Sequence, residues 1–154
     1  MMYLSIVAPC MNEEEVLEEF YLRVSAVIRE MKISDYEIIL VDDGSRDKTW
    51  EIIEALNKRN TKVKGIQLSR NFGHQSALAA GLHEAEGELV FIIDSDLQDP
   101  PELLKVMVGK MNEGFDVVYG QRRHRRGETK FKLWSASLFY KFLSMLADID
   151  IPRD

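Results

Sequence analysis

The chain has 154 residues, 45% of them hydrophobic and 30% charged, so it is long enough to bury a core and is not a disordered segment. Its net charge of -6 argues against a nucleic-acid partner, because general nucleic-acid binders are basic. Cys10 is the only cysteine, which excludes an internal disulfide and a cysteine-rich metal site and is typical of a reducing cytoplasm.

Short runs of β-branched residues alternate along the chain with longer segments of helical periodicity. Predicted strands cover residues 4–8, 37–41, 63–68, 88–93 and 115–120, and predicted helices cover residues 13–31, 48–58, 75–85 and 100–112. Asn12 is the predicted N-cap of the first helix, with Glu15 as its capping-box partner, and Pro100 and Pro101 open the last helix. Strands joined by helical crossovers predict an α/β fold, with a mostly parallel sheet covered by helices on both faces.

Ligands of open parallel sheets bind beyond the carboxyl ends of the strands, so the turns that follow the strands are the places to look for chemistry. Asp94-Ser95-Asp96 follows the apolar fourth strand. Two carboxylates two residues apart in an extended turn can reach one hard cation, and Mg²⁺ or Mn²⁺ bound there would bridge a diphosphate. The alternative is that both aspartates are solvated in a loop or cap the next helix.

Three further polar turns follow the first three strands. Asp42 and Gly44 end the second strand, where a carboxylate can accept hydrogen bonds from a nucleobase or ribose and a glycine permits a positive φ. The alternative there is an ordinary strand-to-helix turn. Residues 9–13 end the first strand, where Glu13 is favoured by the dipole of the following helix. His74, before the third helix, either contacts a ligand or is a solvated or capping side chain.

Four motifs stand at these turns, namely P-x-x-N-E at 9–13, V-D-D-G-S-x-D at 41–47, R-N-F-G-H-Q at 70–75 and D-x-D-L-Q-D-P-P at 94–101. Together they resemble the family 2 glycosyltransferases over nearly the whole chain, and the last motif is the most specific. The resemblance is strongest to polyprenyl-phosphate glycosyltransferases, that is, bactoprenol glucosyltransferases and dolichol-phosphate mannose synthases. It implies a GT-A fold, an inverting displacement at the anomeric carbon, and a divalent metal, Mg²⁺ or Mn²⁺, that holds the donor diphosphate.

The resemblance also implies roles for individual residues. Those that would bind the donor nucleotide are Pro9, Glu13, Asp42 and Asp94. Those that would bind the metal are Asp94, Asp96 and Gln98. Cys10 stands at a position that varies in the family and is assigned no chemistry. The family usually carries its catalytic base in a G-D-F-like segment, which is not found before Asp154, so we expect the base beyond this residue and donor binding without turnover in this chain.

A basic cluster and an amphipathic stretch follow the fifth predicted strand. The cluster consists of Arg122, Arg123, Arg125 and Arg126. Planar guanidinium groups are suited to hold the acceptor lipid phosphate, the donor diphosphate or anionic headgroups, and a solvated basic loop is the alternative. Residues 131–146 place apolar side chains along one face of a predicted helix, which either lies in a membrane interface, packs on the domain core or forms a homo-oligomer contact.

The predicted organisation is a nucleotide-sugar-binding core at residues 1–121 and a basic loop with an amphipathic helix at 122–154, in a native chain that continues further. The sequence shows no signal-peptide pattern and no apolar run of about 18 residues, so we expect this part of the protein to be soluble. The predicted function is transfer of a sugar to a polyprenyl phosphate at the cytoplasmic face of the cell membrane. UDP-glucose is the first donor to consider, and GDP-mannose, UDP-N-acetylhexosamine and UDP-aminoarabinose are the alternative donors. The alternatives are a soluble glycan or protein acceptor, and a non-catalytic nucleotide-sugar-binding domain.

Overall fold

The computed structural model describes residues 4–121, in which strands and helices alternate without exception. The elements are β1 (Leu4–Cys10), α1 (Leu17–Glu30), β2 (Tyr36–Asp42), α2 (Thr49–Arg59), β3 (Val63–Gln67), α3 (His74–Glu84), β4 (Leu89–Ile92) and α4 (Leu103–Asn112). The predicted α/β class is confirmed, although Pro100 and Pro101 lie in the turn before α4 and not in its first turn. None of these four helices reaches the length and hydropathy of a membrane span.

The four strands form one parallel sheet in the order β3-β2-β1-β4. The chain builds the sheet outward from β1 to β3 and then returns to the other side of β1 to add β4. The direction of winding therefore reverses at β1, and the loops that leave the carboxyl ends of β1 and β4 diverge from each other. In open α/β sheets, this switch point is where a crevice forms and ligands bind.

At β1 and β2 both faces of the sheet are covered, as their apolar runs predict. Ile6 and Leu40 belong to the larger core, which α1, α2 and α4 complete on one face. Val7 packs with Ala77 of α3 on the other face, because successive residues of a strand point to opposite sides. A side chain at Gly81 would place its Cβ 2.5 Å from Cγ1 of Val7, so this glycine lets α3 approach the sheet closely.

The predicted fifth strand at residues 115–120 is not formed. These residues have no regular secondary structure, and the compact unit that contains all eight elements ends at Phe115. A strand requires a neighbour for its backbone hydrogen bonds, and no strand among residues 4–121 pairs with this segment. The β-branched and aromatic composition of the segment was therefore not sufficient to form a strand. The predicted boundary at residue 121 stays a prediction, and the second region at 122–154 lies outside the described residues, together with Arg122, Arg123, Arg125 and Arg126.

The predicted helix cap at Asn12 is also wrong. α1 begins at Leu17, and its N-cap residue, Val16, makes no side-chain capping hydrogen bond. Asn12 instead adopts a left-handed backbone conformation with φ of 57°, and its Oδ1 accepts a hydrogen bond from the N–H of Arg46. The side chain that the sequence assigned to the start of a helix therefore joins two loops, and no capping box with Glu15 forms.

Candidate functional site

A cavity lies at the carboxyl edge of the sheet, beside the point where the winding reverses. Four residues predicted from the sequence line it, namely Pro9, Glu13, Asp94 and Asp96. His74, whose role the sequence left open, and Cys10 also belong to its wall. Residues that the sequence did not single out complete it, namely Met11, Asp43, Asn71, Gly73 and Ser95. Each of the four predicted turns therefore contributes to one site.

Ser95 determines how the turn after β4 is oriented. Its side chain is only 1% exposed, and its hydroxyl donates a hydrogen bond of 2.9 Å to the carbonyl oxygen of Pro9. This contact joins the turn after β4 to the end of β1, across the switch point. Because Ser95 is anchored in the protein, the flanking Asp94 and Asp96 are left on the cavity wall.

The two aspartates have different partners. Oδ1 of Asp94 lies 3.6 Å from Nε2 of His74, the first residue of α3, and both side chains are about half exposed. Oδ1 of Asp96 accepts a hydrogen bond of 2.9 Å from the N–H of Gln98, which closes a turn. Gln98 itself is exposed and does not line the cavity. The structure thus brings two of the three predicted metal ligands into the cavity wall and leaves the third outside it.

The cavity carries a concentration of negative charge. Four acidic residues line it, namely Glu13, Asp43, Asp94 and Asp96, and no lysine or arginine among residues 4–121 does. Burial, followed by the charges of Asp96, Asp47 and Asp94, raises the pKa of the Glu13 carboxyl above its ordinary value. A raised pKa at a carboxyl beside other carboxyls indicates that they repel one another, so the site is suited to a cation.

In the part of the chain that the structure describes, no three His, Cys, Asp or Glu side chains are grouped around a common metal position. A cation held by Asp94 and Asp96 would therefore complete its coordination with water or with oxygens of a ligand. This arrangement is ordinary for Mg²⁺, which keeps several waters and binds through one or two carboxylates together with substrate phosphates.

Asp42 and Asp43, which are adjacent in sequence, have different surroundings. Asp42 is fully buried, does not line the cavity, and accepts a hydrogen bond of 3.0 Å from the N–H of Ser45 at its own turn. Asp43 lines the cavity and accepts hydrogen bonds from the N–H groups of Phe72 and Gly73, at 2.8 and 3.0 Å. The structure thus places Asp43, and not Asp42, in the cavity wall, while the role predicted for Asp42 stays a prediction.

The loops after β2 and β3 touch at Gly44. This residue has a φ of +70°, as the sequence predicted, and a Cβ there would lie 2.4 Å from the carbonyl carbon of Arg70. Glycine is therefore required both for its backbone conformation and for the close approach of the two loops. The approach brings Asn71 and Gly73, two residues of the R-N-F-G-H-Q motif, into the cavity wall.

Cys10 lies at the end of β1 and is buried. Burial raises the pKa of its thiol to about 12, and the negative charges of Glu13 and Asp42 act in the same direction. The thiol therefore stays protonated at neutral pH and is a poor nucleophile and metal ligand. Its surroundings agree with the absence of any chemistry assigned to it from the sequence.

Comparison with known proteins identifies the family. Residues 5–151 match the sequence model of glycosyl transferase family 2. The chain belongs to this family. An uncharacterized glycosyltransferase of Bacillus subtilis (strain 168), YkcC, is 48% identical over 150 residues, which are 97% of this chain and 46% of the relative. Bactoprenol glucosyl transferase of Shigella phage SfV is 40% identical over 153 residues, which are 99% of this chain and 50% of the relative.

Solved structures agree with this assignment. Residues 1-349 of S. aureus TarS in complex with UDP superimpose with a TM-score of 0.65 and 29% sequence identity, over 83% of this chain and 38% of that one. The resemblance inferred from the four motifs is thus confirmed, and so is the GT-A fold. The chain spans about half the length of the curated relatives that it matches.

Proposed function

We propose that this chain is the donor-binding part of an inverting glycosyltransferase, which transfers a sugar from a nucleoside-diphosphate sugar to a polyprenyl phosphate. The observation that carries the proposal is the position of Asp94 and Asp96 on the wall of a cavity at the switch point of a parallel sheet. Nucleotides bind at this place in open α/β sheets. UDP-glucose is the first donor to test, and the solved complex of TarS with UDP supports a uridine nucleotide.

A divalent cation belongs to the proposal for an electrostatic reason. The donor carries a negatively charged diphosphate, whereas the described lining of the cavity holds four carboxylates and no lysine or arginine. A diphosphate bound in the cavity would be repelled by these carboxylates, so it requires a cation between itself and the protein. Asp94 and Asp96 would hold Mg²⁺ or Mn²⁺, with Gln98 from the same turn as the further ligand predicted from the sequence. When bound, the cation would neutralise the charge that develops on the departing nucleotide.

The remaining lining residues suit the nucleoside and the phosphates. We assign to Asp43 the contact with base or ribose that the sequence assigned to Asp42, because Asp43 lines the cavity and Asp42 does not. Pro9 and Glu13 form the adjacent wall at the end of β1. α3 begins at the cavity with His74 and carries no acidic residue in its first turn, so its N-terminus favours an anionic phosphate group.

The acceptor in this proposal is a polyprenyl phosphate at the cytoplasmic face of the membrane, supported by the similarity to a bactoprenol glucosyl transferase. A phosphate oxygen is already anionic, so alignment with the anomeric carbon matters more than removal of a proton. The arginines predicted to hold this phosphate or the membrane surface are Arg122, Arg123, Arg125 and Arg126. The homo-oligomer contact predicted for residues 131–146 is proposed on the sequence alone.

Calorimetric titration tests the donor site directly. UDP-glucose, GDP-mannose and UDP-N-acetylglucosamine are titrated into the protein with Mn²⁺ and again with a chelator in its place. We expect saturable binding of a uridine donor with Mn²⁺, and at least tenfold weaker binding without it, because the carboxylates then face the diphosphate unscreened. Binding that does not depend on the metal would refute the role of the two aspartates, and no binding of any donor would refute the site.

A further inference from the structure

The loops after β1 and β2 are joined by a set of hydrogen bonds, which we call the loop clasp, between residues 12–14 and 45–49. Backbone N–H groups of the first loop donate to side chains of the second, at 2.9 Å from Asn12 to Ser45 Oγ, 2.8 Å from Glu13 to Thr49 Oγ1 and 3.1 Å from Glu14 to Asp47 Oδ2. Two backbone N–H groups of the second loop donate in return, at 2.9 Å each, from Arg46 to Asn12 Oδ1 and from Lys48 to Glu14 Oε2.

Asn12 is the residue of the clasp whose backbone is unusual. Its φ of 57° lies in the left-handed region, which asparagine tolerates better than other side chains and alanine does not. Like Glu14, it contributes both its N–H and its side-chain oxygen to the partner loop. Because neither group serves α1, which begins at Leu17, helix capping does not account for the residue.

The neighbours of Asn12 on both sides line the cavity, so its conformation affects the site. Met11 precedes it and Glu13 follows it, and both belong to the cavity wall. The N–H of Glu13 is held by Thr49, which is fully buried and therefore fixed by the core. A change of backbone conformation at residue 12 would displace the Glu13 carboxylate from its place beside Asp94 and Asp96.

We propose that Asn12 is a positioning residue, which holds the cavity wall formed by Met11 and Glu13 in its ligand-binding conformation before the ligand arrives. The inference rests on the proposed function in that the ligand is taken to be a nucleoside diphosphate with its metal. Asn12 is not part of the cavity wall itself and acts through the clasp. A preformed wall avoids the entropic cost of ordering a loop on binding, so loss of the clasp appears as weaker affinity.

The test compares Asn12→Ala with Asn12→Asp and with a matched control, Lys32→Ala. Alanine removes the Oδ1 acceptor and strains the backbone, whereas aspartate keeps an acceptor and tolerates the left-handed conformation. Lys32 has a φ of 56°, as unusual as that of Asn12, but lies in the turn after α1 and not at the cavity. Its variant therefore places alanine in the same backbone conformation as Asn12→Ala, but away from the cavity.

The first readout is the affinity for UDP in the presence of Mn²⁺, measured by calorimetry beside urea denaturation of each variant. Asn12→Ala should bind UDP roughly tenfold more weakly, the order expected from one lost hydrogen bond plus strain at positive φ. Asn12→Asp should recover most of this loss, and Lys32→Ala should keep the affinity of the wild-type protein. Equal affinities of Asn12→Ala and the wild-type protein, or an equal loss of affinity in Lys32→Ala, would overturn the inference.

The second readout needs no ligand, so it separates this inference from the proposed function. The amide hydrogen of Arg46, which is bound by Asn12 Oδ1, should exchange with water several-fold faster in Asn12→Ala. The amide of Lys62, which is bound in the same way by Asn60 Oδ1, should not change. If the wild-type protein binds no UDP, the proposed function fails while this exchange experiment still decides the role of Asn12. Unchanged exchange at Arg46 would overturn it.

Discussion

The amino and carboxyl edges of the sheet use carboxylates in opposite ways. At the amino edge, Glu37 is 1% exposed. Ser5 Oγ and the N–H of Glu86 donate to its Oε1 at 2.5 and 2.8 Å, and Lys64 Nζ forms an ion pair with its Oε2 at 2.7 Å. Burial by itself would raise the pKa of Glu37, but the hydrogen bonds from Glu86, Lys64 and Ser5 outweigh it, so this pKa lies below its ordinary value.

At the carboxyl edge the shift in pKa has the opposite sign. Burial and the neighbouring aspartates raise the pKa of Glu13, and no lysine or arginine among the described residues lines the cavity to compensate for its carboxylates. The comparison teaches that a carboxylate stabilises the fold where the protein itself supplies its partners. Where no cationic side chain lies beside the carboxylates, as at Asp94 and Asp96, their repulsion lowers the stability of the fold, and a bound cation can offset this loss.

The largest effect should follow from Asp94→Asn combined with Asp96→Asn, which removes both negative charges from the cavity turn and keeps the shape of the side chains. We expect affinity for UDP with Mn²⁺ to fall at least about 100-fold, because metal ligands matter no less than the groups that orient them. The free energy of unfolding should not fall, since repulsion with Glu13 is relieved. Glu54→Gln, on the exposed side of α2, is the control for charge. Donor affinity within a few-fold of wild type in the double variant would contradict the metal assignment.

Glu37→Ala should have the largest effect at the other edge. It leaves the N–H of Glu86 and the hydroxyl of Ser5 without their acceptor, and we expect a loss of about 2 kcal/mol in the free energy of unfolding by urea. Because Lys64 is 41% exposed, its share of the loss is small. Glu37→Gln, which keeps one acceptor oxygen, should lose less. UDP affinity should stay unchanged in both variants, and a coupled loss of affinity would break the contrast between the two edges.

Ser95→Ala should have a smaller effect, and it should lower both the stability of the fold and the affinity for UDP. Loss of the hydrogen bond to the Pro9 carbonyl should cost about 1 kcal/mol of stability, and it frees the turn that carries Asp94 and Asp96, so UDP affinity should fall a few-fold. Ser25→Ala is the matched control, because the buried Ser25 hydroxyl has no hydrogen-bond partner among the described residues. Its removal should cost little. A loss of stability in Ser95→Ala without any loss of affinity would show that the turn is held by other contacts.

The smallest effect is the dependence of stability on pH, which should have opposite signs at the two edges. The pKa of Glu37 is lowered below 4.5, so its stabilisation is present above 4.5 and is lost as the pH falls through the folded-state value. The pKa of Glu13 is raised above 4.5, so its charge destabilises the fold increasingly as the pH rises through its folded-state value. Urea midpoints should therefore be measured from pH 3 to 7. In Glu37→Gln the midpoint should depend less on pH below 4.5, and in Glu13→Gln it should depend less on pH above 4.5. A change over the same pH range in both variants would contradict this assignment.

The sequence predicted the elements well where local pattern and burial agree. The runs that became β1 and β2 are apolar on both faces, and they form the centre of the sheet within two residues of the predicted bounds at each end. The segment at 115–120 has a similar composition but no strand beside it, so the local pattern alone predicted a strand that does not form. Asn12 was misassigned for a related reason, since its partners lie more than 30 residues away in another loop.

The sequence by itself determined the family, the α/β class and the turns that contain the site, because strand and helix periodicity and the four motifs are local properties of the chain. Tertiary structure alone decided that β4 returns to the free side of β1, and hence that Asp94 and Asp96 stand beside Pro9 at a switch point. It also placed Asp43, and not Asp42, in the cavity wall, because adjacent residues at the end of a strand point to opposite sides. Which side faces a cavity depends on the packing of loops far apart in sequence.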